Sequence, residues 1–205
     1  AQAIFFNQGQ VCTAGSRLYI HRSRFDEVVE GLSGIANGMK IGAGIDPSTQ
    51  IGPLVSAAQH QRVLGYIKSG YDEGARAIAG GNAGNGPGYF VKPTVLVDTR
   101  EDMRVVREEI FGPVVVAMPY EDLDEVARRA NDTPYGLAAS IWSNDLSRVH
   151  RLIPKIKAGT VWVNCHNILD NSMPFGGYKQ SGIGREMGRA VLDLYTESKS
   201  VVMML

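Results

Sequence analysis

The sequence predicts an α/β fold, a layered and mostly parallel sheet flanked by helices. Three observations predict it. Short β-branched runs alternate with amphipathic segments along most of the chain. One run, "PVVVAMPY", is apolar at consecutive positions, as in a strand buried on both faces. Glycine and proline clusters such as "IGAGIDPSTQIGP" punctuate the joints.

The elements follow in order. "SRLYIHRS" alternates around Leu18, Tyr19 and Ile20, which suits a strand. In "SRFDEVVEGLSGIANGM", Phe25, Val28, Val29, Leu32, Ile35 and Ala36 fall at helical spacing, with Ser23 placed as N-cap. "SAAQHQRVLGYIKSGYDEG" predicts a helix capped by Ser56 and stopped near Gly74. "ARAIAGG" is a short strand and "GGNAGNGPG" a glycine loop. "YFVKPTVLVDT" is strand-like, with Pro93 confining its middle to an edge or bulge. After the buried run, "DLDEVARRAND" places Leu123, Val126, Ala127 and Ala130 on one helix face. "LAASIWS" is a strand, and "DLSRVHRLIPKIKA" is a helix that Pro154 kinks or ends. "GTVWVN" is the next strand. From "GGYKQSGIGRE" onward a loop leads to a helix through Leu194, and "SKSVVMML" closes the chain as an exposed apolar strand.

The alternation is regular up to "NSMPFGGYKQSG" and looser beyond it. The expected organisation is one domain over residues 1–180 and an appendage of helix and strand over 181–205. The terminal strand either joins its own sheet, or crosses to another subunit or to a part of the same protein outside these 205 residues, where Val201, Val202, Met203 and Leu205 become buried.

Composition excludes several classes. The 21 basic and 21 acidic residues cancel, and no basic stripe marks a nucleic-acid partner. No stretch approaches the ~18 apolar residues of a membrane span. The first residues lack the basic and apolar regions of a signal peptide, and they lack an initiator methionine, so the chain is expected to be part of something longer. Cys12 and Cys165 make no disulfide framework, which fits a reducing compartment and a cytoplasmic location. The isolated histidines have no zinc spacing, so no metal site is expected. There is neither a P-loop nor GxGxxG, since "GIGREMG" has one residue too many.

Three stretches suit chemistry. In "NQGQVCTAGS", Cys12 sits among small and polar residues, between Gly9 and Gly15, which permit sharp turns and backbone donors near a substrate carbonyl. The plain alternative is a cysteine packed as a small hydrophobe. Cys165 follows a strand and reads as inert, and its neighbour His166 points to the opposite face of an extended chain. A Cys12–His166 pair across the fold stays open as a rival. In "REEIFGPVVVAMPY", Glu108 and Glu109 offer carboxylates suited to a ribose diol and Phe111 a ring to pack beside it; alternatively they are surface acids and a core ring. "NSMPFGGYKQSGIGRE" is a glycine loop in which Phe175 suits the wall of an apolar pocket.

Together and in this order these stretches resemble the aldehyde dehydrogenase superfamily. "FFNQGQVCTAGSRLYI" is similar to its cysteine segment and "EEIFGPV" to its nicotinamide-ribose segment. "GTVWVN" followed by "PFGGYKQSGIGRE" is similar to its substrate-tunnel and C-terminal segments, and "YGLAASIWSND" fits as well. The resemblance spans essentially the whole chain. It implies oxidation of a small-molecule aldehyde to an acid, through attack by Cys12, with NAD or NADP as cofactor. It implies that Glu109 and Phe111 bind the nicotinamide side, and Gln59 and Arg62 lie near the adenine-side ribose. Phe6, Val11, Thr13, Ile168, Leu169 and Phe175 are implied to line the aldehyde entrance. It further implies a homodimer or homotetramer through residues 198–205.

The family's Glu-Leu-Gly-Gly-Lys type segment, which carries the deacylating glutamate, does not occur in the sequence, nor does the nucleotide-binding domain. The 205 residues are therefore expected to be inactive alone. A thiol hydrolase or acyltransferase using Cys12 with His166, and a non-catalytic assembly domain, are the competing readings. Apolar Ile168, Leu169 and Phe175 suggest a medium aliphatic or aromatic aldehyde, while Asp170 would favour a cationic one.

Overall fold

The computed structural model describes all of residues 1–205. Two compact units divide the chain, residues 1–130 and 131–205. The expected boundary at residue 180 does not coincide with this division, because the strands over 138–163 group with the C-terminal residues.

The first unit is built on a four-stranded sheet. Its strands are β1 (Arg17–His21), β2 (Arg76–Ala79), β3 (Thr94–Val97) and β4 (Val114–Tyr120), in the order β1-β4-β3-β2. β4 runs parallel to both β1 and β3, whereas β2 joins the edge antiparallel, with a register shift between Ala77 and Ala79. Pro93 ends up immediately before β3, so its missing N–H costs no ladder bond. Helices α2 (Phe25–Gly38), α3 (Ala57–Asp72) and α5 (Leu123–Asn131) follow the predicted segments, while the single-turn helices α1 (Gln2–Phe5) and α4 (Arg104–Arg107) are not among those predicted.

The two-residue period of β4 sets the layers. Val114, Val116 and Met118 pack with Val63, Tyr66 and Ile67 of α3 and Val105 and Val106 of α4. Val115 packs on the opposite side with Ile4 and Phe5 of α1 and Leu32 and Ala36 of α2. Ala117 continues that side with Ile20, Val29 and Val97. Both faces of β4 are thus covered, which explains a run with no polar alternation.

Ser56 caps α3 as predicted, its Oγ accepting from the Gln59 N–H at 3.2 Å. Ser23 does not cap α2. A 3-10 turn over Arg22–Arg24 precedes that helix, and the His21 imidazole accepts from the Ser23 N–H at 3.3 Å. The serine lies inside that turn, so its hydroxyl bonds His21 instead of a helix N–H.

The second unit carries a two-stranded parallel sheet of β5 (Ala138–Ile141) and β6 (Thr160–Val163). Between them α6 (Leu146–Leu152) is capped by Asp145 and gives way to a 3-10 turn over Ile153–Lys155, where Pro154 cannot donate. The predicted terminal helix is short, α7 (Leu192–Tyr195) after a 3-10 turn. Residues 196–205 form no strand in the single chain and do not join its sheets. Val201, Val202, Met203 and Leu205 are exposed there. No helix is long and apolar enough to cross a membrane.

Candidate active site

The cysteine loop leads into β1, and the segment Glu108–Pro113 leads into β4. Because β1 and β4 are neighbours running in parallel, their amino ends lie side by side, with Arg17 opposite Val116. The two segments therefore meet although about 100 residues separate them.

They meet through glycine backbone. The chain turns through three successive left-handed residues, Asn7 (φ 48), Gln8 (φ 56) and Gly9 (φ 68). A Cβ at Gly9 would lie 2.0 Å from the carbonyl oxygen of Gly112. A Cβ at Gly112 would in turn meet Val63 of α3 at 2.6 Å. Only glycine allows this stacking of loop, segment and helix.

Beyond the turn, the Val55 N–H donates to the Gln10 side chain at 3.0 Å, and Gly15 N–H to the Ala3 carbonyl at 2.8 Å. Held at both ends, the loop presents Cys12 exposed to solvent, and the Cys12 N–H donates to no group in the chain. Phe6 is exposed and Val11 half-buried, while Thr13 is buried at 6% exposure.

The two glutamates behave differently. Glu108 is bound by Arg104 through two contacts of 3.2 Å, and it accepts from the Tyr66 hydroxyl at 2.8 Å. The Arg104 hydrogen bonds, followed by the Tyr66 one, hold its carboxyl below the usual carboxylate range. Burial, and then the carboxylate it donates to, push the Tyr66 hydroxyl up. The Glu109 carboxylate is exposed and makes no bond within the chain. Phe111 adopts φ 57 and is 38% exposed.

Gln59 and Arg62 grip the main chain of this segment. Gln59 Nε2 donates to the carbonyls of Ile110 at 3.1 Å and Phe111 at 2.8 Å. Arg62 donates to the Glu109 carbonyl at 2.8 Å and to the Tyr66 hydroxyl at 3.3 Å. With the backbone tied to α3 and Ile110 buried, Glu109 and Phe111 are left facing outward. Sequence reasoning missed Tyr66 and Arg104; the signal was their spacing from Arg62 and Glu108, one helical turn each.

The second unit positions the remaining predicted residues. β6 ends in Asn164 (φ 53), and Asn167 (φ 57) turns the chain again. The Asn164 amide bonds both the N–H and the carbonyl of Ser143, at 2.9 and 3.0 Å. Ile168 and Leu169 then project at 65% and 51% exposure. Asp170 accepts from the N–H and hydroxyl of Ser172, which lowers its carboxyl below the usual range. Phe175 is held by paired backbone bonds with Glu186, at 2.7 and 2.8 Å. A Cβ at Gly159 would fall on the Gly176 carbonyl at 1.6 Å, so the glycine loop lies flat on the start of β6. His166 shares a hydrogen bond with Ser140 and packs its ring on Trp162. No group of His, Cys, Asp and Glu side chains is arranged to hold a metal ion. A depression of about 400 Å³ lined by Arg189, Ala190, Leu192 and Asp193 contains none of the predicted site residues.

The order of these segments and their meeting at one strand end have a counterpart among known proteins. Residues 1–201 match the profile of the aldehyde dehydrogenase family. The chain belongs to that family. It is 54% identical over 198 residues to a putative aldehyde dehydrogenase, DhaS, of Bacillus subtilis, covering 97% of this chain and 40% of the relative. It is 52% identical over 198 residues to a mitochondrial aldehyde dehydrogenase of Leishmania tarentolae, with the same shares covered. Its fold superposes on an aldehyde dehydrogenase of Bacillus cereus solved as an NAD+ complex, at TM-score 0.95 and 52% identity, over 98% of this chain and 41% of that one. The chain thus spans about 40% of the length of the aldehyde dehydrogenases it matches.

Proposed function

We propose that residues 1–205 are the cysteine-bearing catalytic portion of an NAD(P)-dependent aldehyde dehydrogenase, with Cys12 as nucleophile. The contact of Gly9 on Gly112 carries this reading, because it ties an exposed cysteine directly to the segment that displays Glu109 and Phe111. The Cys12 sulfur attacks the aldehyde carbon, forming a C–S bond and a thiohemiacetal oxyanion. The uncommitted Cys12 N–H supplies one oxyanion donor. Loss of hydride leaves a thioester on Cys12, and water releases the carboxylic acid.

The residues present fit the cofactor. Glu109 offers an unengaged carboxylate for a ribose diol, and Phe111 a part-exposed ring for a flat heterocycle. Bound NAD or NADP supplies the hydride acceptor. Gln59 and Arg62 serve this site by holding the carbonyls of residues 109–111. Both amide hydrogens of Gln59 are used there, whereas Arg62 keeps further donors for the adenine-side ribose.

Neither glutamate of this segment supplies the deacylating base. Glu108 is bound by Arg104 and Tyr66, and Glu109 is assigned to the ribose. Residues 1–205 are therefore proposed not to turn over aldehyde alone. Phe6, Val11, Thr13, Ile168, Leu169 and Phe175 are proposed as aldehyde-facing residues. The exposed apolar pair Ile168–Leu169 supports a medium aliphatic or aromatic aldehyde. Residues 181–205 are proposed as the assembly element of a homodimer or homotetramer, paired through 198–205. The two unpaired cysteines support a cytoplasmic location. A thiol hydrolase using His166 is not favoured, because its Nδ1 is engaged by Ser140.

Aldehyde-dependent NADH or NADPH formation by the intact protein tests the reading. Cys12→Ser is expected to lower the rate at least about a thousandfold. A Cys12→Ser protein that keeps the wild-type rate refutes it, and robust turnover by residues 1–205 alone refutes the proposed inactivity.

A further inference from the structure

The segment after β6 is fixed to the two-stranded sheet by side chains that the proposed chemistry does not use. Trp162 lies in β6 at 7% exposure, and its only polar atom, Nε1, donates to the carbonyl of Ile168 at 2.7 Å. His166 lies between the two, its ring 5.0 Å from the indole by centroids, and it shares a hydrogen bond with Ser140 of β5. Asn164 and Asn167 turn the chain on either side of Cys165–His166. Ile168 and Leu169 are therefore exposed apolar side chains on a backbone that cannot fold them away.

We propose that Trp162 and His166 are positioning residues that set how far Ile168 and Leu169 project, and so discriminate aldehydes by the length of their apolar chain. The inference rests on the aldehyde dehydrogenase reading above. Trp162 is immobilised by burial, so its N–H fixes the Ile168 carbonyl at a set distance from β6. The His166–Ser140 bond fixes the middle of the same segment to β5. Neither residue needs to reach the reacting atoms. On the aldehyde dehydrogenase reading, a long apolar chain that packs on Ile168 and Leu169 loses contact when their backbone shifts, whereas a two-carbon aldehyde has too little apolar surface to depend on that contact.

The test uses the intact protein and a straight-chain aldehyde series from ethanal to decanal. Ser140→Ala and His166→Phe each remove the same hydrogen bond from opposite ends, and Trp162→Phe removes the bond to Ile168. Each is expected to raise KM for decanal by about three- to tenfold, the worth of one neutral hydrogen bond. KM for ethanal and kcat throughout are expected to stay within about twofold. The Ser140→Ala/His166→Phe double variant is expected to be no worse than His166→Phe alone, since the bond between the two residues is already gone. His166→Gln, which can still bond Ser140, is expected to restore part of the decanal KM.

Equal changes in KM at every chain length, a loss of kcat with KM unchanged, or a wild-type length profile would each overturn the inference. Ser140→Ala and His166→Phe leave the buried indole in place, so they carry the test if Trp162→Phe does not fold. A wild-type protein without Cys12-dependent aldehyde oxidation would overturn the functional reading and this inference together. Wild-type oxidation with an unaltered length profile in the variants would overturn this inference alone.

Discussion

Gly9→Ala is the substitution most directly forbidden by the geometry of the cysteine loop. Gly9 has φ +68, and an added Cβ would lie 2.0 Å from the Gly112 oxygen and 2.5 Å from its carbon. Real Cβ atoms essentially never approach closer than 3.0 Å, and the obstacle is backbone, which cannot rotate aside. The left-handed conformation costs a non-glycine residue about 1–2 kcal/mol. Overpacking against a fixed neighbour adds about 1–3 kcal/mol. The sum, about 2–5 kcal/mol, is expected to lower the unfolding temperature by roughly 5–15 °C in a unit of this size.

Relief of the clash must move the loop or the Gly112 segment by about 1 Å. Such a shift between nucleophile and cofactor segment is expected to lower kcat/KM of the intact protein about a hundredfold. Gly15→Ala is the control. Its Cβ would meet Ala3 at 3.4 Å, an ordinary contact, so stability is expected to change by less than about 1 kcal/mol. Thermal unfolding and steady-state kinetics read both variants. A Gly9→Ala protein with wild-type stability and turnover, or a Gly15→Ala protein equally damaged, refutes the reasoning.

Two further outcomes are expected. Glu108 has its folded pKa lowered by Arg104 and then Tyr66, so its stabilisation is present above the ordinary carboxylate pKa of about 4.3 and is lost as pH falls through the lowered folded value. Glu108→Gln is therefore expected to flatten the acid limb of stability against pH. At pH 7 it should cost no more than about 0.5 kcal/mol, because the pair is exposed and screened; an acid limb identical to wild type in melts from pH 3 to 7 would contradict this. Deleting the residues after Lys199 in the intact protein is expected to give monomers by light scattering, since it removes Val201, Val202, Met203 and Leu205. A truncated protein that remains oligomeric would count against the proposed assembly strand.

What was legible in the sequence was what local chemistry decides. The β4 run, the Ser56 cap and the break at Pro154 each depend on neighbours within a turn or on burial of a whole face. Cys12 stood out because its company is polar and small, and Gly9 because a sharp turn needs it. Ser23 misled because a 3-10 turn, set by the preceding His21, intervened before the helix. The apolar pattern of residues 198–205 suggests a strand, but a strand needs a neighbour to pair with and these residues pair with neither sheet of the single chain. Gln59 and Arg62 were legible as candidate residues and not as clamps. Their carbonyl partners on Glu109, Ile110 and Phe111 carry no side-chain signature.

Ligands of open α/β sheets commonly bind beyond the carboxyl ends of the strands. In this chain the cysteine loop and the Glu109 segment both lie at amino ends, before β1 and β4. Their alignment is consequently a matter of strand register. Arg17 pairs with Val116 and Leu18 with Ala117, and a slip of one residue would shift the cysteine loop about 3.3 Å along its neighbour. Such a slip would separate Gly9 from Gly112 and turn every side chain of one strand to the wrong layer. Val114 and Val116 are buried against α3 and α4, and Val115 against α1 and α2, so either face of β4 resists the slip. The apolar run that marks β4 in the sequence thus does more than build a core. It fixes where Cys12 stands relative to Glu109 and Phe111, which makes the register of two buried strands a determinant of the proposed chemistry.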